Sequence, residues 1–366
     1  MSPFGEPRGV VVHFDRHFLR FLLQAALALL ALMALAWILS YSRLVLTPLI
    51  LSLILSLLLN PLVVMLERRG LGRTVAVMLV LCALGVVLAA ALTLLAPVIG
   101  REIRTLSQLA QNESPATLLD KFRGLLRENL PWLKNPTFLA QILKLAEDFL
   151  NSLFQRSVRL LPGVVPLAIA AVLIPFMTFF LLKDGRQMKK SFIAMLPNRH
   201  FEMAVSLLHK IDRQVGNYIR GQLLVSLCVG ILATAALVIL GIPYFLLIGT
   251  VAGLANMIPY FGPIVGAIPA VILNVIIKGR LDAALPVIAA FLLIRLIDDT
   301  LLSPNILGRS LRIHPLLVIL VIFIGGEMFG IMGLLLCIPL TGIIKVIIEE
   351  LAWGHRHYRA LRGGGE

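Results

Sequence analysis

The stretch NMIPYFGPIVGAIPAV, from Asn256 to Val271, lies in one of the most apolar parts of the chain yet carries three prolines and two glycines. A proline inside a helix removes one backbone hydrogen bond and displaces the chain. In hydrocarbon such a break survives only where the freed peptide groups lie against protein or a watery cavity. The stretch therefore predicts an interrupted membrane helix beside other protein or beside a polar cavity.

The composition predicts a polytopic membrane protein built only of helices. Of the 366 residues, 59% are hydrophobic and 14% are charged, whereas soluble domains have about 25% charged residues. Several runs of 18 or more residues carry almost no charge, which is typical of membrane spans. The first apolar run is too long for a cleavable signal peptide, so we expect it to remain as a span.

Apolar and charged segments divide the chain into five parts: three spans, an extramembrane amphipathic helical segment, two spans around a basic stretch, a transport core, and a basic tail. In order these parts are residues 1–99, 100–160, 161–240, 241–350 and 351–366. The predicted spans are residues 18–40, 44–66, 74–99, 162–182, 221–240 and 283–302, and the basic amphipathic stretch is 183–220.

The predicted core contains two interrupted regions, residues 243–276 and 314–347. Each runs apolar to an aromatic–glycine pair and resumes with an Ile-Pro step. One such region would suggest a kinked helix with glycines for close packing, but paired interruptions favour a carrier's substrate site near the bilayer midplane. The predicted substrate-path residues are Asn256, Pro259, Tyr260, Gly262, Pro263, Gly266, Pro269, Gly325, Gly326, Phe329, Gly330, Gly333 and Pro339.

Four ionisable residues in apolar surroundings are candidates for ion coupling or gating. Arg295, Asp298 and Asp299 interrupt an apolar span, where a charge costs about 2.5–3.5 kcal/mol at mid-bilayer. Their spacing places both aspartates on the arginine's face of a helix, so one carboxylate could remain for a proton or a cation. Structural pairing of these residues is the alternative. Glu327 would lie at a turn, either in water or as a protonatable site.

Charge placement predicts the orientation and excludes several functions. The net charge of +14 comes from short basic loops, as in cytoplasmic loops, so we expect both termini in the cytoplasm and no nucleic-acid partner. Cys82, Cys228 and Cys337 lie in apolar runs and suggest neither a disulfide framework nor a metal site. Because phosphate-loop, zinc-protease and serine-hydrolase motifs are missing from the sequence, it predicts no enzyme and no cofactor.

Five blocks of the sequence resemble one bacterial family, and the resemblance covers about residues 15–350. The blocks are FFLLKDG (179–185), NYIRGQLL (217–224), NMIPYFGPIVGAIPA (256–270), DDTLLSPNILGRSLRIHPLLVIL (298–320) and GGEMFGIMGLLLCIPL (325–340). They are similar to the autoinducer-2 exporter family. The resemblance implies about eight transmembrane helices in the bacterial inner membrane, with two broken hairpins and a homo-oligomer, for which we expect a pentamer.

We therefore predict a secondary transporter, an exporter of a small polar solute, and the resemblance suggests a furanone like autoinducer-2. A cation–proton antiporter using Na⁺ is the alternative within transport. A non-transporting oligomeric membrane scaffold is the alternative from another class.

Overall fold

The computed structural model describes residues 43–112, 164–194, 201–308 and 314–362, with a few isolated positions between 117 and 144. The chain divides into two units, residues 1–49 and 50–366, and the contacts discussed here lie within the second. The predicted span at residues 18–40 and most of the predicted segment at 100–160 lie outside the described residues.

Every regular element in the described ranges is helical. The helices are α1 (Arg43–Arg68), α2 (Arg73–Asn112), α3 (Val164–Ala194), α4 (Phe201–Ile239), α5 (Phe245–Ala255), α6 (Phe261–Lys278), α7 (Ala284–Ile297), α8 (Ser303–Ile306) and α9 (Pro315–Arg362). A 3₁₀ turn (Leu281–Ala283) precedes α7, and a π-helical turn (Asp298–Leu302) joins α7 to α8.

The described helices confirm an all-α polytopic membrane protein. Five of them, α1, α2, α4, α6 and α9, contain stretches long and apolar enough to cross a membrane. Their outward side chains are largely apolar; Ile239, Phe323 and Leu94 are 83%, 74% and 73% exposed. Such surfaces are compatible with lipid rather than water, because soluble proteins rarely expose large contiguous apolar patches.

Several helices, including α2 and α4, continue where the sequence changes from apolar to polar. α2 runs to Asn112, beyond the expected end of its span at residue 99, and α4 joins the basic stretch to the following span in one helix of 39 residues. At 1.5 Å per residue α4 is about 58 Å long, against a hydrocarbon thickness of about 30 Å. Helical hydrogen bonding does not depend on apolar side chains, so these helices extend beyond the span length that hydropathy predicts.

The first interrupted region is a helical hairpin in which Asn256–Tyr260 join α5 to α6. The turn comes before the aromatic–glycine pair at which the sequence predicted it, because Phe261 already begins α6. Of the three prolines only Pro269 lies deep within a helix; Pro259 is in the turn, and Pro263 is in the first turn of α6, where a helix tolerates proline.

Close contacts between glycines and the opposite arm hold this hairpin together. A Cβ atom on Gly266 would lie 2.7 Å from the Cβ of Ala252, and one on Gly262 would lie 2.8 Å from the carbonyl oxygen of Ala252. Tyr260, the last residue of the turn before α6, adopts the left-handed conformation at φ 76°. Non-glycine residues in that region cost about 1–3 kcal/mol and persist where their surroundings hold them.

The second interrupted region is also a hairpin, bent at Gly330. Its φ of 60° and ψ of −140° interrupt α9. A Cβ on Gly333 would lie 1.8 Å from the carbonyl oxygen of Gly325, although eight residues of straight helix would separate the two glycines by about 12 Å. The arms 315–329 and 331–362 therefore run antiparallel. Both broken hairpins implied by the family resemblance are present.

Two blocks of the family resemblance hold helices together. In NYIRGQLL, the Arg220 guanidinium donates to the carbonyl oxygen of Leu57 on α1 at 3.0 Å. A Cβ on Gly221 would lie 2.9 Å from Leu307 Cδ2, so glycine permits close contact there. In FFLLKDG, the carbonyl oxygen of Leu182 accepts a hydrogen bond from Arg73 Nε at 2.8 Å. These blocks therefore contribute to the architecture.

A carboxylate from α2 caps the start of the first hairpin. Leu246 N and Leu247 N, in the first turn of α5, donate to the two Glu102 oxygens at 3.3 and 2.9 Å. The first amides of a helix have no partner within it and carry partial positive charge. Glu102 thus attaches α5 to α2 at the entry of the hairpin.

Candidate functional site between the two hairpins

A cavity of about 420 Å³ lies where α4, the turn of the first hairpin, the end of α7 and the second hairpin meet. α4 and the first turn contribute both aromatic and amide groups, the region after α7 contributes carboxylates, and α9 contributes apolar side chains. The lining residues are Tyr218, Gln222, Val225, Pro259, Tyr260, Asp298, Asp299, Ser303, Pro304, Leu307, Gly308, Val318 and Ile338.

The π-helical turn Asp298–Leu302 places a carboxylate in the wall of this cavity. Asp298 is 4% exposed, and the Ser303 hydroxyl donates to its Oδ1 at 2.8 Å. π-helical turns are rare and occur often at functional sites. A buried carboxylate is costly unless it is protonated, paired or bound to a cation.

Arg295 joins the other aspartate to the first hairpin. Its Nε lies 2.9 Å from Asp299 Oδ2, and its guanidinium carbon lies 4.4 Å from the centre of the Tyr260 ring. Arg295 Nη1 is buried without a hydrogen-bond partner among the described residues. A cation over an aromatic face contributes about 0.5–2 kcal/mol. The pairing therefore connects the end of α7 to the strained turn residue Tyr260.

An amide on α4 also contacts this turn. Gln222 Nε2 donates to the main-chain oxygen of Asn256 at 2.5 Å. Gln222 and Asn256 are 4% and 1% exposed. The first hairpin's turn thus contacts both a polar position of α4 and the charged end of α7.

Comparison with known proteins assigns the chain to a family. Residues 27–353 match the family described as AI-2E family transporter. The chain belongs to the AI-2E transporter family. It is 31% identical over 306 residues to the Bacillus subtilis (strain 168) protein named "Putative transport protein YrrI", covering 82% of this chain and 85% of that protein. It is 28% identical over 322 residues to "AI-2 transport protein TqsA" of Escherichia coli (strain K12), covering 85% of this chain and 87% of that protein.

In this family member the predicted substrate-path residues lie in several different environments. Pro259 and Tyr260 line the cavity, whereas Asn256 is buried next to Gln222. Most of the predicted glycines and prolines are buried or half-buried within the two hairpins, and only Phe329 and Gly330, at the second bend, are exposed. Those within the hairpins are Gly262, Pro263, Gly266, Pro269, Gly325, Gly326, Gly333 and Pro339.

The four charged candidates also differ in whether they line the cavity. Asp298 and Asp299 line the cavity, and Arg295 contacts Asp299 and the Tyr260 ring. Glu327 is exposed near the second bend and is not a lining residue. No group of three metal-ligating side chains occurs within the part of the chain that the structure describes.

Sequence reasoning missed the contribution of α4 to the cavity. Tyr218 and Gln222 belong to the NYIRGQLL block, which carried the family resemblance but was not assigned to a site. Gln222 and Ser226 are polar residues four positions apart in an otherwise apolar span, and this spacing places them on one helix face. That pair of polar residues was the sequence feature that could have indicated a polar site on α4.

Proposed function

We propose that this AI-2E family transporter exports a small polar solute through the cavity between its two hairpins. The observation that supports the proposal is the cavity itself, because both hairpins, α4 and the π-helical turn contribute to its wall. Its volume of about 420 Å³ falls within the roughly 300–1,000 Å³ of small-molecule sites. A site between separate packed elements can be opened by moving one element against the others.

The wall chemistry supports a hydroxylated solute such as an autoinducer-2-like furanone. The hydroxyls of Tyr218 and Ser303 can each donate and accept hydrogen bonds. The name of TqsA, "AI-2 transport protein", supports the same cargo class.

Basic residues support a bacterial inner-membrane location with both termini in the cytoplasm. Arg68 ends α1 and Arg69 follows it, and Arg186, Lys189 and Lys190 lie near the end of α3; cytoplasmic loops are rich in such residues. We propose that the protein functions as a homo-oligomer, a pentamer, in that membrane.

Autoinducer-2 flux in proteoliposomes containing the full chain tests the proposal. Val318→Trp places a large ring in the cavity wall, while Leu320→Trp places the same ring on the same arm at a side chain that is 53% exposed. We expect Val318→Trp to reduce flux at least tenfold and Leu320→Trp to leave it within twofold. Equal flux from both variants would contradict a route through this cavity.

Cation–proton antiport is a second candidate, favoured by the separate environments of the two aspartates. Arg295 pairs with Asp299, whereas the Asp298 carboxylate accepts only the Ser303 hydroxyl among the hydrogen bonds found for it in the described residues. A buried carboxylate beside a hydroxyl could hold a proton or Na⁺ in turn.

Imposed sodium and pH gradients distinguish the two candidates. Gradient-driven proton flux lost in Asp298→Asn but retained in Asp212→Asn, a change at a half-exposed surface ion pair with Lys189, would favour antiport. Autoinducer-2 flux that persists in Asp298→Asn would favour the exporter. Intact oligomers without either flux would favour the scaffold.

A further inference from the structure

One row of small and polar residues on α4 meets α5 and its turn, and apolar side chains of both helices, Val229 and Ile248 among them, pack beside this row. The α4 positions are Gln222, Ser226, Gly230 and Thr234, and the opposing positions are Asn256, Gly253 and Gly249. We call this contact the α4–α5 seam.

The seam is closely packed along its length. In its middle a Cβ on Gly230 would lie 3.2 Å from the Gly249 carbonyl oxygen and 3.2 Å from Gly253 Cα. At the end formed by Gln222 the seam meets the cavity. The seam therefore leads from the cavity wall into the packed interior between α4 and the hairpin.

Three residues near the end next to the cavity carry buried polar atoms without partners. Gln222 Oε1, Ser226 Oγ and both Asn256 side-chain atoms, Oδ1 and Nδ2, have no hydrogen-bond partner among the described residues. The three residues are only 4%, 4% and 1% exposed. Natural proteins leave few such atoms, and each calls for an explanation.

Solvent does not provide that explanation in this conformation. Each of the four atoms exposes less than 1 Å², so the surrounding protein covers them. The contact is therefore destabilised by its own polar atoms. A separation of α4 from the hairpin turn would relieve this cost by exposing the atoms to a polar molecule.

The chemistry of the group selects the kind of molecule. Gln222 Oε1 and Asn256 Oδ1 accept, Asn256 Nδ2 donates, and the Ser226 hydroxyl does both. None of the three side chains carries a charge. A hydroxyl group can satisfy both donors and acceptors, whereas a bare cation would meet the Asn256 amide hydrogens as well as the oxygens.

We propose that Gln222, Ser226 and Asn256 form an occluded binding subsite for the hydroxyl groups of an uncharged cargo. The subsite is closed in this conformation and opens when α4 and the first hairpin separate along the seam, which extends the cargo route beyond the cavity. This inference rests on the proposed transport through the cavity and adds the route's next step.

Thiol accessibility tests the subsite in full-length protein in proteoliposomes. The background carries Cys82→Ala, Cys228→Ala and Cys337→Ala, and Ser226→Cys replaces only an oxygen by a sulfur. The reagent is a charged, membrane-impermeant methanethiosulfonate. Val229→Cys is the matched control, because Val229 lies on the same helix, is 0% exposed and belongs to the apolar core beside the seam.

We expect Ser226→Cys to react at least tenfold faster than Val229→Cys, and saturating autoinducer-2 to slow that reaction at least threefold. Equal rates at the two positions would overturn the opening of the seam. A fast reaction without protection by autoinducer-2 would overturn the cargo subsite and leave a route for water. Autoinducer-2 flux is measured on the same vesicles, so flux with an unreactive Ser226→Cys rejects this inference alone, whereas lack of flux from the parent protein rejects the proposed function.

Discussion

Two buried asparagines provide a direct test of the unpaired polar group. Asn256 and Asn274 are each 1% exposed, but Asn274 Nδ2 donates to the Ala283 carbonyl oxygen at 2.7 Å, whereas neither side-chain atom of Asn256 has a partner among the described residues. Leucine has a similar shape and no polar atoms. Asn256→Leu and Asn274→Leu therefore remove the same side-chain amide, which is unpaired at Asn256 and hydrogen-bonded at Asn274.

The two substitutions are expected to change the free energy of unfolding in opposite directions. An unsatisfied buried group costs about 1–3 kcal/mol, and a formed hydrogen bond contributes about 0.5–1.5 kcal/mol. Asn256→Leu should stabilise the closed conformation by about 1–3 kcal/mol, because the hydrogen bond from Gln222 goes to the Asn256 main chain and is retained. Asn274→Leu should destabilise the protein by about 0.5–1.5 kcal/mol.

Thermal unfolding in detergent, followed by intrinsic fluorescence and by loss of the monodisperse chromatographic peak, measures the difference. We expect a higher Tm for Asn256→Leu than for the parent protein and a lower Tm for Asn274→Leu. The same Asn256→Leu protein should show at least tenfold lower autoinducer-2 flux, because the closed seam is favoured. If both variants lower Tm equally, Asn256 is satisfied in the closed state and the argument for the seam is refuted.

The remaining predictions concern the hairpins and their attachments. Gly333→Ala should prevent accumulation of folded protein, because a Cβ would lie 1.8 Å from the Gly325 oxygen, while Gly72→Ala, with no atom within 4 Å, should express like the parent in a fluorescence-detected chromatography assay. Glu102→Gln should lower stability by about 0.5–1 kcal/mol by weakening the cap on the first turn of α5, measured as a lower Tm; an unchanged Tm would argue against that cap. Arg295→Lys should reduce flux severalfold, because an ammonium cannot both stack flat on the neighbouring ring and hold the carboxylate; full flux would show that this contact is dispensable for transport.

Sequence patterns predicted the membrane class and the two hairpins because both depend on local chemistry. Lipid requires long apolar helices, and glycine or proline marks where such helices turn or approach one another. The bend at Gly330 follows this logic, since its φ of 60° strongly favours glycine. The helix ends were less predictable, because α2 and α4 continue into polar sequence that hydropathy treats as a boundary.

The candidate site was predicted less completely than the fold. Prolines and glycines near the breaks were expected to line a path, but most of them lie within the hairpins, where their small or rigid shapes permit close packing. Tyr218 and Gln222 were overlooked because they lie on an uninterrupted helix. Their place in the cavity depends on how α4 packs against both hairpins.

The amino-acid sequence alone determined that this chain is an all-helical membrane protein with two interrupted regions and charges at the end of one span, because solvation by lipid acts on each segment separately. Tertiary packing decided which aspartate pairs with Arg295 and which amides remain unpaired. It also decided that a cavity forms where the hairpins meet α4. Such features arise from atoms far apart in the chain, whose distances no local pattern specifies.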